Sequence, residues 1–239
     1  MIRSLHQNSS AMQLLLDKIN VTSNNLANVN TAGFKKKGVF FQQLTGAEQA
    51  LARDGIVKEM PAGQIAVYTD YSVGKLTYTG NSLDIALQGE GFFTIETPEG
   101  DKYTRNGNFS LDSNQNLVTA EGFAVKGEAG PVKITGNDVV IGKDGTVQAD
   151  GEAINKLMIK KISNDQLVRV GSNFYVPKEG AEVEDISASG ILQGYLELSN
   201  INIVSEMTNM IATQRHYEAN SKVIKSADDT LRQINQIGR

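Results

Sequence analysis

Apolar side chains recur every seven residues through the N-terminal part of the chain. Two rows offset by three residues share this repeat: Leu5, Met12, Ile19 and Leu26, with Leu15 and Val29. The spacing predicts a narrow apolar stripe along one helix, which we place within residues 1–35 as the N-terminal half of a coiled-coil domain. Mostly polar side chains, chiefly Gln, Asn, Ser and Lys, separate the members of the stripe.

The C-terminal end of the chain repeats this pattern. A second row of apolar residues has the same spacing: Ile203, Met210, Tyr217, Ile224 and Leu231. Three further apolar residues widen it: Met207, Ala227 and Ile234. Residues 202–236 contain neither Gly nor Pro, Asn200 or Asn202 can cap their start, and Glu206 favours a helix N-terminus. A helix is therefore predicted over residues 202–236, inside a C-terminal coiled-coil segment of residues 191–239.

Between the stripes, short runs alternate apolar and polar residues with a period of two. The run LDIALQ places Leu83, Ile85 and Leu87 on one face, and Asp-Gly and Glu-Gly pairs separate later runs. Asn106-Gly107, between KYTR and NFSLD, is typical of a two-residue hairpin turn. Many short strands at close spacing predict a mainly-β domain.

These patterns predict an α+β fold, in which N- and C-terminal helices form a coiled-coil layer beside a mainly-β central domain. The β domain is expected over residues 82–190. Residues 36–81 are expected to form an extended connector, with one short helix near residues 46–53.

A helix with a narrow apolar stripe needs a partner to bury it. The two stripes can pair within one chain, with neighbouring copies, or both; alternatively, a helical stalk folds back on its own β domain. The four asparagines in residues 24–30 favour packing between copies. Their neutral amides can hydrogen-bond to the same residues of a neighbouring copy, whereas like charges on identical neighbours would repel. The candidate assembly interface comprises the stripe residues: Leu5, Met12, Leu15, Ile19, Leu26, Val29, Ile203, Met207, Met210, Ile211, Tyr217, Ile224 and Leu231.

Charge and composition exclude several classes of partner and functional site. The net charge is −4, which argues against a nucleic-acid partner, and the absence of Cys excludes disulfides and thiolate metal sites. The one basic run, residues 35–37, is interpreted as complementing the dipole at a helix C-terminus. His6 and His216 are far apart in the sequence and no carboxylate cluster accompanies them, so no enzyme, metal or cofactor is predicted.

Two short motifs are interpreted as turns. Gly89-Glu90-Gly91 follows a predicted strand but lacks the rest of a dinucleotide-binding loop. Asp112 begins a run that starts like a calcium loop, but Leu117 stands where an EF-hand requires Gly.

The N-terminal sequence predicts neither a cleaved signal peptide nor membrane insertion. It has one early Arg but no continuous apolar core and no small-residue cleavage site. No apolar run approaches the roughly 20 residues that a membrane-spanning helix needs.

Four blocks of sequence carry a resemblance to a known family. They are NNLANVNTAGFK (24–35), LDIALQGEGFF (83–93), the pair YTRNGNFSLD and LVTAEGFAV, and QGYLELSNINIVSEMTNMIATQRHYEANSKVI (193–224). In this order they resemble the signatures of the bacterial flagellar rod and hook protein family. Asn25, Asn28, Gly33 and Phe34 correspond to its N-terminal signature turn, in which we expect Gly33 to end the first helix in a left-handed conformation.

The resemblance implies a structural subunit of the flagellar basal-body rod, the axial drive shaft between motor and hook. It implies polymerisation through the terminal helices, with copies of the chain and other rod and hook proteins as partners. The flagellar type III export apparatus and the peptidoglycan and outer-membrane rings are further implied partners. The implied location is the periplasmic rod, reached without a cleaved signal peptide.

Two alternatives remain open at this stage. GEAGPVKI (127–134) resembles proximal-rod members, whereas the C-terminal block resembles distal-rod members. A different class of protein would be a β-domain module that binds peptidoglycan or another carbohydrate on a helical stalk. Its candidate contact residues are aromatic: Tyr68, Tyr71, Tyr78 and Tyr103.

Overall fold

The computed structural model describes residues 2–41, 65–136, 138–171, 173–186 and 190–237. As predicted, the fold is α+β, with an N-terminal helix, a mostly-β central region and a C-terminal helix. The chain divides into two compact units: unit 1 contains residues 1–28, 36–70 and 201–239, and unit 2 contains residues 29–35 and 71–200. The short helix predicted near residues 46–53 lies outside the described residues.

Unit 1 contains two long helices and one strand pair. Its elements are α1 (Ile2–Ala27), β1 (Lys37–Phe41), β2 (Ile65–Thr69) and α2 (Ile203–Ile237). The two helices pack against each other, and β1 pairs with β2 in antiparallel register. Asn202 caps α2, because its side-chain oxygen accepts a hydrogen bond from the Ser205 backbone N–H at 3.0 Å.

Helix α1 ends at Ala27, eight residues before the end of the predicted N-terminal helical segment. The backbone N–H of Asn28 donates to the Asn25 carbonyl at 3.0 Å, so the chain already turns here. Asparagine competes with the helix for backbone hydrogen bonds, which makes this Asn-rich stretch a natural place for the helix to end. Val29, assigned to the apolar stripe, therefore lies beyond the helix.

Unit 2 is built from short strands. They are β3 (Leu76–Tyr78), β4 (Ile85–Leu87), β5 (Phe92–Thr97), β6 (Gly100–Thr104), β7 (Ser110–Leu111), β8 (Leu117–Val118), β9 (Ala124–Gly127), β10 (Gly130–Pro131), β11 (Val139–Ile141), β12 (Thr146–Ala149), β13 (Glu152–Lys156), β14 (Ile159–Ile162), β15 (Leu167–Val170), β16 (Phe174–Pro177), β17 (Val183–Asp185), β18 (Ile191–Gln193) and β19 (Tyr195–Glu197).

The largest sheet in the described part of the chain runs in the order β15-β16-β6-β5-β9-β8-β7, with β10, β14 and β17 attached at its side. Strands β11, β12 and β13 form a separate antiparallel sheet. The last two strands return to the start of the unit, because β18 pairs with β4 and β19 pairs with β3. The C-terminal part of unit 2 is thereby joined to residues about 110 positions earlier.

The prediction of a hairpin turn at Asn106-Gly107 is wrong. Strand β7 pairs with β8 rather than with β6, and neither residue has the positive φ that the predicted turn type requires. Gly107 instead lies against β4, where its carbonyl accepts the Ile85 N–H at 2.9 Å. A two-residue turn of this type does occur at Asp150-Gly151, where both residues have positive φ between β12 and β13.

The main core of unit 2 collects buried apolar side chains from most of its strands, including Phe93 and Phe109, whose rings meet edge to face. The alternation predicted for LDIALQ is only partial, because Ile85, Ala86 and Leu87 are all buried. A strand covered on both faces loses the period-two signal on which the prediction depended.

Candidate functional site

Residues 29–35, here called the docked segment, belong to unit 2, although the residues on both sides of them belong to unit 1. Gly33, Phe34 and Lys35 are buried there, with Phe34 only 1% and Lys35 only 2% exposed. A lysine that is almost fully buried needs a charge partner. The segment is therefore held in unit 2 by specific contacts.

Gly33 fixes the backbone of the docked segment. Its φ is +68°, the left-handed conformation predicted for it, and its N–H donates to the Glu197 carbonyl at 2.7 Å. A Cβ at this position would lie 2.6 Å from the Arg105 carbonyl carbon and closer still to the Asn106 nitrogen. The role predicted for Gly33 as the cap of the first helix is wrong, because α1 ends at Ala27. Gly is required here for close approach to unit 2.

Two side chains of unit 2 hold the segment on either side of Gly33. Asn173 donates from Nδ2 to the Ala32 carbonyl at 3.1 Å, and the Arg169 guanidinium lies 4.1 Å from the centroid of the Phe34 ring. Arg169 also donates from Nη1 to the Lys35 carbonyl at 3.3 Å. A guanidinium over an aromatic face is an attractive cation–π arrangement.

Lys35, Arg105 and Glu197 form the anchor cluster. Lys35 Nζ lies 2.6 Å from one Glu197 carboxylate oxygen, and Arg105 Nε lies 2.6 Å from the other. All three side chains are at most 4% exposed. The first carboxylate oxygen also accepts the Gly74 N–H at 2.9 Å. Two buried cations thus share one buried carboxylate, and removing that carboxylate would leave both uncompensated.

The protonation state of Glu197 follows from its surroundings. Burial opposes ionisation, but the charges of Arg105 and Lys35, together with their hydrogen bonds, outweigh it and lower the Glu197 pKa below its usual value of 4.5. Glu197 is therefore ionised at neutral pH. The cluster is a fixed ion triad rather than a proton-transfer site.

Arg105 also organises the loop between β4 and β5. Its terminal nitrogens donate to the carbonyl oxygens of Leu87, at 2.9 Å, and of Gly89 and Gly91. Both glycines have positive φ, so the loop turns its carbonyls toward the guanidinium. The motif Gly89-Glu90-Gly91 is a structural turn, as the sequence suggested.

Lys36 and Lys37, which follow the docked segment, are held by contacts within unit 1. The Asn25 side chain is 1% exposed and donates to the Lys37 carbonyl at 2.8 Å while accepting the Lys37 N–H at 2.9 Å. Lys36 forms an ion pair with Glu206, a buried residue in the first turn of α2. The interpretation of the basic run as a helix-dipole partner is wrong, because the last turn of α1 contains no basic residue.

The predicted assembly residues lie at different depths on the two helices. Met12, Leu15, Ile19, Leu26, Met210, Tyr217 and Ile224 are half-buried, whereas Ile203, Met207 and Ile211 are 44–50% exposed. The side chains of Leu5 and Leu231 lie outside the description. Val204, which the sequence analysis omitted, is 74% exposed beside the exposed members.

A cleft of about 650 Å³ in unit 2 borders the anchor cluster. Its lining includes Lys35, Arg105, Tyr71, Phe92 and Lys161, and Lys161 is paired with Glu90 at the rim. Within the described ranges, no group of three His, Asp or Glu side chains could hold a metal ion. Neither helix, over its described residues, is long and apolar enough to cross a membrane.

Two of the four tyrosines considered for carbohydrate binding pack within unit 2. Tyr103 is buried, and Tyr71 packs against Phe92 and Tyr175. Tyr68 and Tyr78 are exposed, but Tyr68 belongs to unit 1 and Tyr78 to unit 2. Nothing in the described part of the chain therefore favours the carbohydrate-binding alternative.

Three family models match the chain. "Flagella basal body rod protein" matches residues 7–35, "Flagellar hook protein FlgE/F/G D1 domain" matches residues 86–149, and "Flagellar basal body rod FlgEFG protein C-terminal" matches residues 192–237. The flagellar basal-body rod protein FlgG of Bacillus subtilis (strain 168) is 34% identical over the full length of both chains. The chain belongs to the flagellar basal-body rod protein family.

Other rod proteins match over nearly the same length. FlgG of Buchnera aphidicola subsp. Schizaphis graminum is 35% identical and covers 99% of this chain and 100% of its own. FlgF of Mesorhizobium japonicum is 31% identical and covers 97% of each. The chain is thus similar to rod proteins of both names along its whole length.

The anchor cluster of this rod-family protein draws one residue from each matched region. Lys35 lies in 7–35, Arg105 in 86–149 and Glu197 in 192–237. Sequence reasoning missed Arg105 and Glu197, although both stand inside the quoted blocks YTRNGNFSLD and QGYLELSN. The signal that could have found them is a charged residue inside an otherwise apolar or uncharged strand pattern.

Proposed function

We propose that this chain polymerises as a structural subunit of the flagellar basal-body rod and that α1 and α2 supply its main contacts with neighbouring subunits. Membership of the rod family supports the structural role. In this proposal the terminal helices form a coiled-coil layer around the rod axis, and the polymer serves as the drive shaft between motor and hook. No catalytic chemistry is required of it.

The observation that carries the proposal is the exposed apolar stripe, defined as Ile203, Val204, Met207 and Ile211. Their exposed fractions are 44, 74, 49 and 50%. They recur at helical spacing over the first nine residues of α2, about two and a half turns, whereas Met210, Tyr217 and Ile224 on the same helix are half-buried. A neighbouring subunit that covered the stripe would gain about 1 kcal/mol for each half-exposed side chain that it buries.

The partners and location follow from the same proposal. Copies of the chain and other rod and hook proteins are the direct partners, and the peptidoglycan and outer-membrane rings surround the assembled rod. The subunit reaches the periplasm through the flagellar type III export apparatus. The rod-protein names of the relatives support the place in the flagellar basal body.

The test replaces Ile211 with Asp in a strain that lacks the wild-type chain. We expect Ile211→Asp to abolish incorporation into purified basal bodies and swimming, because a charge would be buried at the helix contact. The matched control is Val168→Asp in unit 2, because Val168 is 45% exposed and also apolar. Normal incorporation of Ile211→Asp, at wild-type expression and helix content, would exclude the stripe as a contact.

A further inference from the structure

Residues 32–35 lie in a site formed by other residues of unit 2. Hydrogen bonds and ion pairs among those other residues hold the site in its shape. We propose that unit 2 contains a recognition site for the peptide Ala-Gly-Phe-Lys and that this site accepts the peptide from a second copy of the chain as well as from its own. The site lies in unit 2, so it is separate from the helix contacts proposed above.

Each residue of the peptide is contacted individually. The Ala32 carbonyl accepts from Asn173, and the Gly33 N–H donates to the Glu197 carbonyl. The Phe34 ring lies against the guanidinium of Arg169. Lys35 Nζ donates to the Ser72 carbonyl at 2.8 Å and to the Glu197 carboxylate at 2.6 Å. Together these contacts read both backbone and side chains, as a peptide site does.

The site is organised by contacts that do not involve the peptide. Arg105 and the Gly74 N–H hold the Glu197 carboxylate. Arg169 donates to the Asn173 side-chain oxygen at 3.3 Å. The Asn173 carbonyl accepts from the Thr104 hydroxyl at 2.9 Å. A site that keeps its geometry without its ligand avoids much of the ordering cost of binding.

Two peptide positions set the specificity. Any side chain at Gly33 would overlap the backbone of residues 105–106, and φ of +68° disfavours other residues. Lys35 supplies one of the two cations on Glu197. Both the Gly and the Lys are therefore required of a peptide that binds with full affinity.

The peptide is remote in sequence from the residues that hold it. Ser72 lies 37 positions from Lys35, and Glu197 lies 162 positions away. Both flanks of the docked segment belong to unit 1. A segment supplied by another copy would make the same contacts, which is the condition for exchange of an element between identical chains. The chain's own segment has the advantage of effective concentration until copies are crowded together.

The first experiment measures binding of a fluorescent peptide, VNTAGFKK, to the full-length Gly33→Val variant, whose own segment is blocked. We expect saturable binding to the variant and at least about tenfold weaker binding to wild-type protein, whose site is filled. Control peptides carrying Val for Gly or Met for Lys should each bind about tenfold or more weakly. Val would overlap the backbone of residues 105–106, and Met lacks the charge-assisted hydrogen bond to Glu197.

A folded Gly33→Val variant that does not bind the peptide, or that binds all three peptides equally, would overturn the proposal. Hydrogen exchange in β5 (Phe92–Thr97) reports whether unit 2 is folded. If Gly33→Val lowers that protection, Phe34→Ala with Lys35→Ala replaces it, since these changes weaken the segment without adding volume. The peptide contains neither α1 nor α2, so its binding does not depend on whether the chain polymerises through those helices.

The second experiment tests the second copy directly. Gly33→Val retains the site and lacks a competent segment, whereas Glu197→Gln retains the segment and lacks a competent site. Labelled with a donor and an acceptor dye, the two full-length variants should show energy transfer when mixed. Both variants also carry Ile211→Asp, which removes the proposed helix contact, so that each variant labelled with both dyes and mixed with itself should show none. Equal signals in all mixtures, or none in the heterologous mixture, would contradict exchange between copies.

Discussion

Replacing Glu197 with Gln removes the carboxylate that Lys35 and Arg105 share. The substitution keeps the size of the side chain but leaves two buried cations without their counter-ion. Breaking a buried ion pair by removing one partner costs about 3–5 kcal/mol. We therefore expect the free energy of unfolding of unit 2 to fall by about 3–5 kcal/mol.

The comparison variant is Lys35→Met, which leaves Arg105 and Glu197 as a neutral pair. Its cost should be smaller, about 1–3 kcal/mol, because the lost hydrogen bonds are not accompanied by an uncompensated charge. The assay is denaturant unfolding, monitored by the amide hydrogen exchange of β5 (Phe92–Thr97), a strand of the unit 2 core. A Glu197→Gln variant within 1 kcal/mol of wild type, or no less stable than Lys35→Met, would refute the charge argument.

The same residue predicts a pH dependence. Because the Glu197 pKa is lowered in the folded protein, its stabilisation is complete above the unfolded value, near 4.5, and is lost as pH falls through the folded value. Stability of the wild type should therefore decrease with acidification below about pH 4.5 more steeply than that of Glu197→Gln. Parallel pH profiles for the two proteins would show that Glu197 is not the group responsible.

Two further substitutions test the anchors. Gly33→Ala should destabilise unit 2 by about 1–3 kcal/mol in thermal unfolding, because it adds a Cβ at positive φ against backbone; Gly122→Ala, also at positive φ but with open space around it, separates strain from overlap, and equal losses would argue against overlap. Asn25→Asp should accelerate amide exchange in β1, because aspartate cannot donate to the Lys37 carbonyl. The matched change Asn24→Asp on the exposed side of α1 should leave that exchange unchanged.

The sequence predicted the elements whose signal is local. Seven-residue apolar spacing located both helices, and Asn202 was correctly among the two proposed caps. Alternation and Gly pairs located a mainly-β region. Asp150-Gly151 forms its turn because strands β12 and β13 are also neighbours in sequence.

The predictions that failed depended on distant contacts. Asn106-Gly107 has the residues of a hairpin, but Gly107 is held against Ile85 and the following strand pairs elsewhere. Lys35 resembled a helix-end lysine until the fold placed it beside Glu197, 162 positions away. Local periodicity contains no information on such pairs, because they depend on tertiary packing.

Two asparagines of the N-terminal signature make hydrogen bonds within their own chain. We expected neutral amides to serve contacts between copies. Asn25 is instead buried and bonded to Lys37, and Asn28 donates to the Asn24 carbonyl at 2.8 Å. These two side chains stabilise the turn that ends α1. The proposal that copies pack together therefore depends on the exposed apolar stripe of α2.

The central claim, that this stripe is covered on assembly, is tested most directly by cysteine accessibility. The chain contains no Cys, so Met207→Cys or Ile211→Cys introduces a unique thiol on the stripe, and Val168→Cys provides a control in unit 2. We predict that both stripe thiols react with a maleimide in the purified subunit and are protected in isolated basal bodies, whereas the control thiol reacts in both. Stripe thiols that react equally fast in the subunit and in basal bodies would contradict the claim.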